Sequence, residues 1–183
     1  EPYVTLKYPE AYHIGNTYSM FVFGLKIEEF EYAFQLDGPY DEKKGLLFNK
    51  ENILLDPYAR AVTGQRNWGE RPEGGADFIY HARVVENNFD WGDIRPTEHP
   101  FEDLVIYEMH VRGFTKDASS GVTPGAEGTY EGLRQKIPYL KDLGVNAVEL
   151  MPIFEFDEME STRVVDGERL YNYWGYNTVC FFA

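Results

Sequence analysis

From Leu104 onward the hydrophobic pattern switches period twice, and this switching constrains the fold more than any other feature of the chain. Leu104-Val105-Ile106-Tyr107 is a short continuous apolar run, as expected of a parallel strand covered on both faces. Asn146 to Leu150 reads as the second strand, closed by Pro152. Between them Leu133, Ile137, Leu140 and Leu143 recur at helical spacing and form one apolar face. Thr129 is placed to cap that helix. Pro138 either kinks it or starts a second short helix, and Gly144 suits the left-handed position after its end. Asp117 to Gly128, rich in Gly, Ser, Ala and Asp, reads as a long loop. Strand, helix, strand in this order implies a right-handed parallel βαβ unit.

Two parallel strands alone leave unpaired edges and an uncovered face. A closed eight-strand barrel built from such units takes roughly 250 residues, and the whole chain has 183. The expectation is therefore a piece of a longer polypeptide, or an incomplete gene model, that is unstable or aggregates when expressed alone.

Residues 1–98 read differently. Tyr18 to Phe23 alternates and suggests a strand; Glu31 to Leu36 suggests a second, ending at the turn Asp37-Gly38-Pro39. Asn52 to Leu55 is a short apolar stretch stopped by Asp56-Pro57, and Val84-Val85 suggests another strand. Gly69 to Gly75 is a polar loop. Asp93 to Pro100, with two prolines, is the candidate linker. The reading is a β-sandwich-like region over 1–98 and a βαβ region over 99–183.

The formal net charge of −14 argues against nucleic acid or an anionic membrane as partner. No stretch is long and apolar enough to span a membrane, and Glu-Pro-Tyr-Val-Thr at the start is not a signal peptide. Cys180, the only cysteine, lies between Val179 and Phe181 and reads as a buried, inert thiol. A reducing cytoplasm fits it. The aromatic share of 16% is high. Flat rings suit the apolar face of a sugar, but plain core packing is expected to account for most of them. No phosphate-binding glycine loop, zinc spacing or nucleophile elbow is present.

Five stretches carry a family resemblance, in order. Val105 to Thr115 (Val-Ile-Tyr-Glu-Met-His-Val-Arg-Gly-Phe-Thr) resembles the first barrel strand of the α-amylase superfamily of glycoside hydrolases, in its debranching branch. Leu143 to Ile153 is similar to the second strand of those barrels. Asn172-Tyr173-Trp174-Gly175-Tyr176 is similar to the loop that follows it in isoamylases and glycogen-debranching enzymes. Upstream, Tyr32 to Tyr40 and Leu54 to Ala59 resemble the N-terminal carbohydrate-binding module of the same enzymes.

The resemblance implies a partial β-sandwich-like carbohydrate-binding module followed by the first βαβ part of a (β/α)8 TIM barrel. It implies an α-glucan partner (glycogen or amylopectin) and hydrolysis of α-1,6 branch links by a retaining two-carboxylate mechanism. In this family those carboxylates lie on later strands, so no catalytic residue is assigned here. The alternatives are a non-catalytic glucan-binding module and part of a glucan-branching transferase.

Tyr176 matches the family's sugar-stacking tyrosine, the competing reading being that it packs under the loop. Trp174 shapes the same subsite or packs the loop, and Gly175 lets the backbone turn between them. Glu155, Asp157, Glu158 and Glu160 cluster after the second strand; a solvated acidic loop is favoured there over a Ca²⁺ site, and no cofactor is expected. His110 is read as a hydrogen-bonded structural residue. Trp91 is read as a plug between the two regions.

Overall fold

The computed structural model describes residues 9–64, 67–71 and 79–183. Before the linker the backbone forms small antiparallel sheets. β1 (His13–Ile14) pairs with β2 (Thr17–Tyr18). β3 (Glu31–Tyr32) joins β6 (Ala61–Val62) and β7 (Ala82–Arg83) in a three-stranded sheet of order β3-β7-β6. β4 (Tyr40–Asp41) pairs with β5 (Leu46–Leu47).

The strand expected over 18–23 stops at Tyr18. Ser19 N–H turns back to the Tyr12 carbonyl at 2.9 Å, and Phe21 and Phe23 stand 90% exposed. The expected strand over 31–36 is interrupted as well; beyond Tyr32 only Phe34 bridges, to Leu54. The strand foreseen at Val84-Val85 lies two residues earlier, at β7. The stretch 93–100, expected as a linker, has no regular structure. Of the polar loop 69–75, residues 72–75 lie outside the described residues.

The C-terminal region keeps its predicted order. β8 (Ile106–Met109) and β9 (Ala147–Leu150) pair in parallel over their full length, Ile106 opposite Ala147 and Met109 opposite Leu150. Between them run α1 (Val111–Thr115), α2 (Tyr130–Gln135) and α3 (Ile137–Asp142). Thr129 caps α2, its Oγ1 accepting the Gly132 N–H at 3.2 Å. Pro138 sits in the first turn of α3, where a missing N–H costs nothing. Gly144, at φ +88°, closes α3 while Val145 N–H donates back to Leu140 O. Of the expected apolar face only Leu140 is buried; Ile137 and Leu143 are about half exposed. Ile106 and Val148 are similarly open on the two-stranded sheet.

β10 (Glu155–Phe156), β11 (Arg163–Val165), β12 (Glu168–Leu170) and β13 (Thr178–Cys180) follow. β11 and β12 form a hairpin, and β10 pairs antiparallel with β13. The docking of β13 places Cys180 against Ala59 and Ala82 in a small core, with Tyr32, Leu55 and Val62 packed around it. The thiol is buried, as expected, and donates to the Ala59 carbonyl at 3.1 Å. No aromatic residue is among the buried hydrophobics of the described residues, so the expectation that cores absorb the rings is not met. The buried groups are small, and rings pair at the surface instead, as in Phe89–Trp91. No helix among the described residues is long and apolar enough to cross a membrane.

Candidate functional site

The loop 172–176 lies against the carboxyl end of β8, the side on which βα units gather their ligands. His110 is the first residue after that strand and makes the connection. Its Nδ1 accepts the Gly113 N–H at 3.1 Å and caps α1. An acceptor at Nδ1 leaves the proton on Nε2, which donates to the Tyr173 carbonyl at 2.9 Å. The imidazole also stacks on the Tyr173 ring, centroids 4.3 Å apart. His110 is thus the structural residue its position suggested, and it fixes the aromatic loop. Gly113 has no room for a side chain because the Tyr173 hydroxyl fills that space.

The loop closes on itself through its asparagines. Asn172 Nδ2 donates to Asn177 Oδ1, and Gly175 N–H returns to Asn172 Oδ1 at 3.3 Å. Gly175 is buried at φ +74°, and a Cβ there would meet the Phe156 ring at 3.0 Å. Glycine is therefore required twice over, by conformation and by space. Trp174 meets Tyr173 and His110 edge-on and remains 52% exposed. Tyr176 is 71% exposed, so it does not pack under the loop. Two aromatic side chains therefore stand largely open to solvent on a tied turn.

The segment 155–160 supports this loop from behind and corrects the solvated-loop reading. Glu158 is only 3% exposed, and its Oε1 accepts the Gly69 N–H at 2.6 Å. Asp157 Oδ2 takes Arg71 Nη1 at 2.6 Å. Burial, and then the Glu158 charge, push the Glu155 carboxyl above its ordinary value of 4.5. Asp157 and Glu158 are thus engaged by the preceding region, while Glu160 is exposed and accepts Asn177 Nδ2. Among the described residues no group of three or more His, Cys, Asp or Glu could hold a metal ion.

Trp68, not Trp91, fills the seam between the regions. Its indole meets Phe156 and Tyr171 edge-on at 6.0 and 6.1 Å, and the Arg112 guanidinium lies 5.2 Å from its centroid. Trp91 is 66% exposed and packs on Phe89. Sequence reasoning passed over Trp68. The signal available was a rare, large ring immediately before a glycine loop. With Tyr130, Phe154, Phe156, Glu155 and Glu158, Trp68 also lines a groove of about 480 Å³.

No family model matches the chain. Curated relatives do. Isoamylase 3, chloroplastic, of Oryza sativa subsp. japonica is 42% identical over 171 residues, 92% of this chain. Isoamylase 1, chloroplastic, of Arabidopsis thaliana is 37% identical over 180 residues, 96% of this chain. The glycogen operon protein GlgX homolog of Mycobacterium tuberculosis is 36% identical over 170 residues, 83% of this chain. The chain spans only 22% to 23% of the length of these relatives. Among solved structures, a type I pullulanase of Bacillus subtilis complexed with maltose is 27% identical with a TM-score of 0.49, over 74% of this chain and 18% of that one. With isoamylases and a glycogen operon protein matched along most of its residues, the chain belongs to the isoamylase and glycogen-debranching branch of the α-amylase superfamily.

Proposed function

We propose that this chain is the N-terminal portion of a glycoside hydrolase that cleaves α-1,6 branch links of glycogen or amylopectin with retention. In this reading residues 1–98 are a partial carbohydrate-binding-module-like β domain with its linker, of β-sandwich type. Residues 99–183 open the catalytic (β/α)8 barrel. The observation that carries the reading is the tied turn that holds Trp174 and Tyr176 exposed beside the carboxyl end of β8. The parallel pairing of β8 with β9 through intervening helices supports the barrel assignment.

The chemistry divides accordingly. Retaining cleavage needs two carboxyls roughly 5–5.5 Å apart, one attacking the anomeric carbon and one protonating the leaving oxygen. Both are assigned to later strands outside this sequence. What this chain supplies is the floor of the subsite: Tyr176 stacks on the sugar, Trp174 borders it, and Gly175 sets the angle between them. A net charge of −14 does not oppose a neutral glucan. The single buried thiol fits a reducing compartment, and the proposed location is the cytoplasm; the plant relatives named above are chloroplastic.

The test is made on the full-length protein that contains this chain. It is expected to release linear chains from amylopectin, and Tyr176→Ala is expected to lower kcat/KM on the order of a hundredfold. The 183-residue chain alone is expected to release none. A full-length protein that leaves branch links intact, or that transfers chains to make new branches, overturns the proposal.

A further inference from the structure

Asp157 and Glu158 each face two ways. Their side chains reach back to the region before the linker: Asp157 Oδ2 to Arg71 Nη1 and Glu158 Oε1 to Gly69 N–H, both at 2.6 Å. Their carbonyls face forward and grip both ends of the aromatic loop. Glu158 O accepts the Asn172 N–H at 2.9 Å, and Asp157 O accepts Asn177 Nδ2 at 3.0 Å. Asp157 Oδ1 also takes the Met159 N–H at 2.8 Å, which fixes the carboxylate plane. The strut between the two regions is therefore a single residue thick. Its surroundings leave little slack, because Trp68 packs on Phe156 and Tyr171 beside it. At Gly69 (φ +81°) a Cβ would lie 2.7 Å from the Tyr171 hydroxyl.

We infer that Asp157 and Glu158 are positioning residues that couple segment 67–71 to the loop 172–176, so that the sugar-facing aromatics are held by the β-rich region as well as by β8. The inference rests on the function proposed above for its kinetic consequence, but the mechanical coupling stands on these contacts alone. A buried carboxylate with a backbone donor is stiff, since loss of its partner leaves an unsatisfied group. A shift at 69 therefore reaches the loop through the buried Glu158 side chain, and one at 71 through the Arg71–Asp157 pair.

The experiment uses the full-length protein with Glu158→Ala, Arg71→Ala and Glu158→Gln, which keeps the acceptor oxygen. Lys26→Ala, in an exposed pair remote from the loop, is the control. Amide hydrogen exchange at 173–176 is expected to quicken on the order of tenfold in the two alanine variants. It is expected to stay near wild type in Glu158→Gln and in the control. Unchanged exchange in Arg71→Ala overturns the inference, and that exposed variant carries the test if Glu158→Ala fails to fold. Kinetically, kcat/KM on branched glucan is expected to fall about tenfold in Arg71→Ala and to show no further fall when Tyr176→Ala is already present. Fully additive losses overturn the coupling. If the protein does not debranch but exchange still responds, the functional reading fails while the coupling holds.

Discussion

The regions on either side of residues 93–100 are ordered by different means. Before them, each described strand is two residues long, and the buried hydrophobics are Ala59 and Ala82. Order there comes from side chains that catch nearby backbone. Asp41 takes the Lys43 N–H, Asn49 that of Glu51, Asp56 that of Tyr58 and Asp90 that of Gly92. After residues 93–100, order comes from a four-residue parallel ladder and from short capped helices that pack on one another. Turn chemistry fixes direction but buries little. A ladder with packed helices concentrates its stability at a few close contacts.

That contrast predicts where a single methyl group does damage. Gly132 is buried, and an added Cβ would run into the Ala126 carbonyl and lie 2.7 Å from Thr115 Oγ1. Neither neighbour can retreat, because Thr115 is fully buried and holds the Gly128 N–H at 2.9 Å. Gly132→Ala is expected to cost about 3 kcal/mol in urea unfolding. At Gly38 the Cβ would also crowd a neighbour, Phe48 at 2.9 Å, but that ring is 38% exposed and can swing away. Gly38→Ala is expected to cost under about 1 kcal/mol. Equal costs would mean that the two regions are held alike.

The tryptophans sharpen the comparison at its seam. Trp68→Ala removes two ring contacts and the Arg112 partner, an expected loss of about 2 kcal/mol given that the ring is 46% exposed. Trp91→Ala, at 66% exposure, is expected to cost about 0.5 kcal/mol. Chemical denaturation of both variants decides the matter. A larger loss at Trp91 would return the plug to the place first expected from the sequence.

The phenol of Tyr32 is a smaller case. Its hydroxyl donates to Asp56 Oδ2 at 2.7 Å. Burial first, and then that bond and the Asp56 charge, push it from 10.0 up to about 12. A raised phenol stabilises the fold fully below pH 10, and its contribution is lost as pH rises towards 12. Tyr32→Phe is expected to cost about 1 kcal/mol near neutrality and to remove one late-titrating tyrosine from an absorbance titration. A Tyr32 that titrates normally would show that this corner of the β-rich region is open to water.

The βαβ order was legible because each of its signals is local. A continuous apolar run, a capping threonine and a glycine after a helix need no knowledge of a distant partner. The strand boundary slipped by two residues for a reason the run does not contain. Asn146 bridges both sides of the pair: its Oδ1 accepts the Val105 N–H at 2.8 Å and its Nδ2 donates to Asp103 O at 2.9 Å. With a 3₁₀ turn at Phe101–Asp103, this delays the ladder to Ile106. In the β-rich region Tyr18 to Phe23 had the right alternation but no neighbouring edge, and pairing is decided by the neighbour. The left-handed turn at Gly175 could be read from a glycine between two large rings, whereas the exposure of Trp174 and Tyr176 depends on what the folded chain leaves uncovered. The roles of Trp68, Asp157 and Glu158 were hidden because their partners lie some ninety positions away in sequence.

The smallest effect concerns Glu155, at the back of the seam. Half-buried beside Glu158, its carboxyl is held above 4.5, so the folded state binds its proton more tightly than the unfolded chain does. For a carboxyl shifted upward, folding is favoured below 4.5. The advantage is lost as pH rises through the folded value, which leaves an ionised, partly desolvated group near neutrality. Glu155→Gln keeps the shape and discards the charge. It is expected to raise the unfolding midpoint slightly near pH 7 and to leave it unchanged near pH 4, where both side chains are neutral. The sign separates this carboxyl from its neighbours, since Asp157 and Glu158 hold donors from the β-rich region and their truncation to alanine is expected to weaken the fold. A Glu155→Gln variant that melts earlier at neutral pH would mean that Glu155, too, is a strut, and that the seam is held by three carboxylates rather than two.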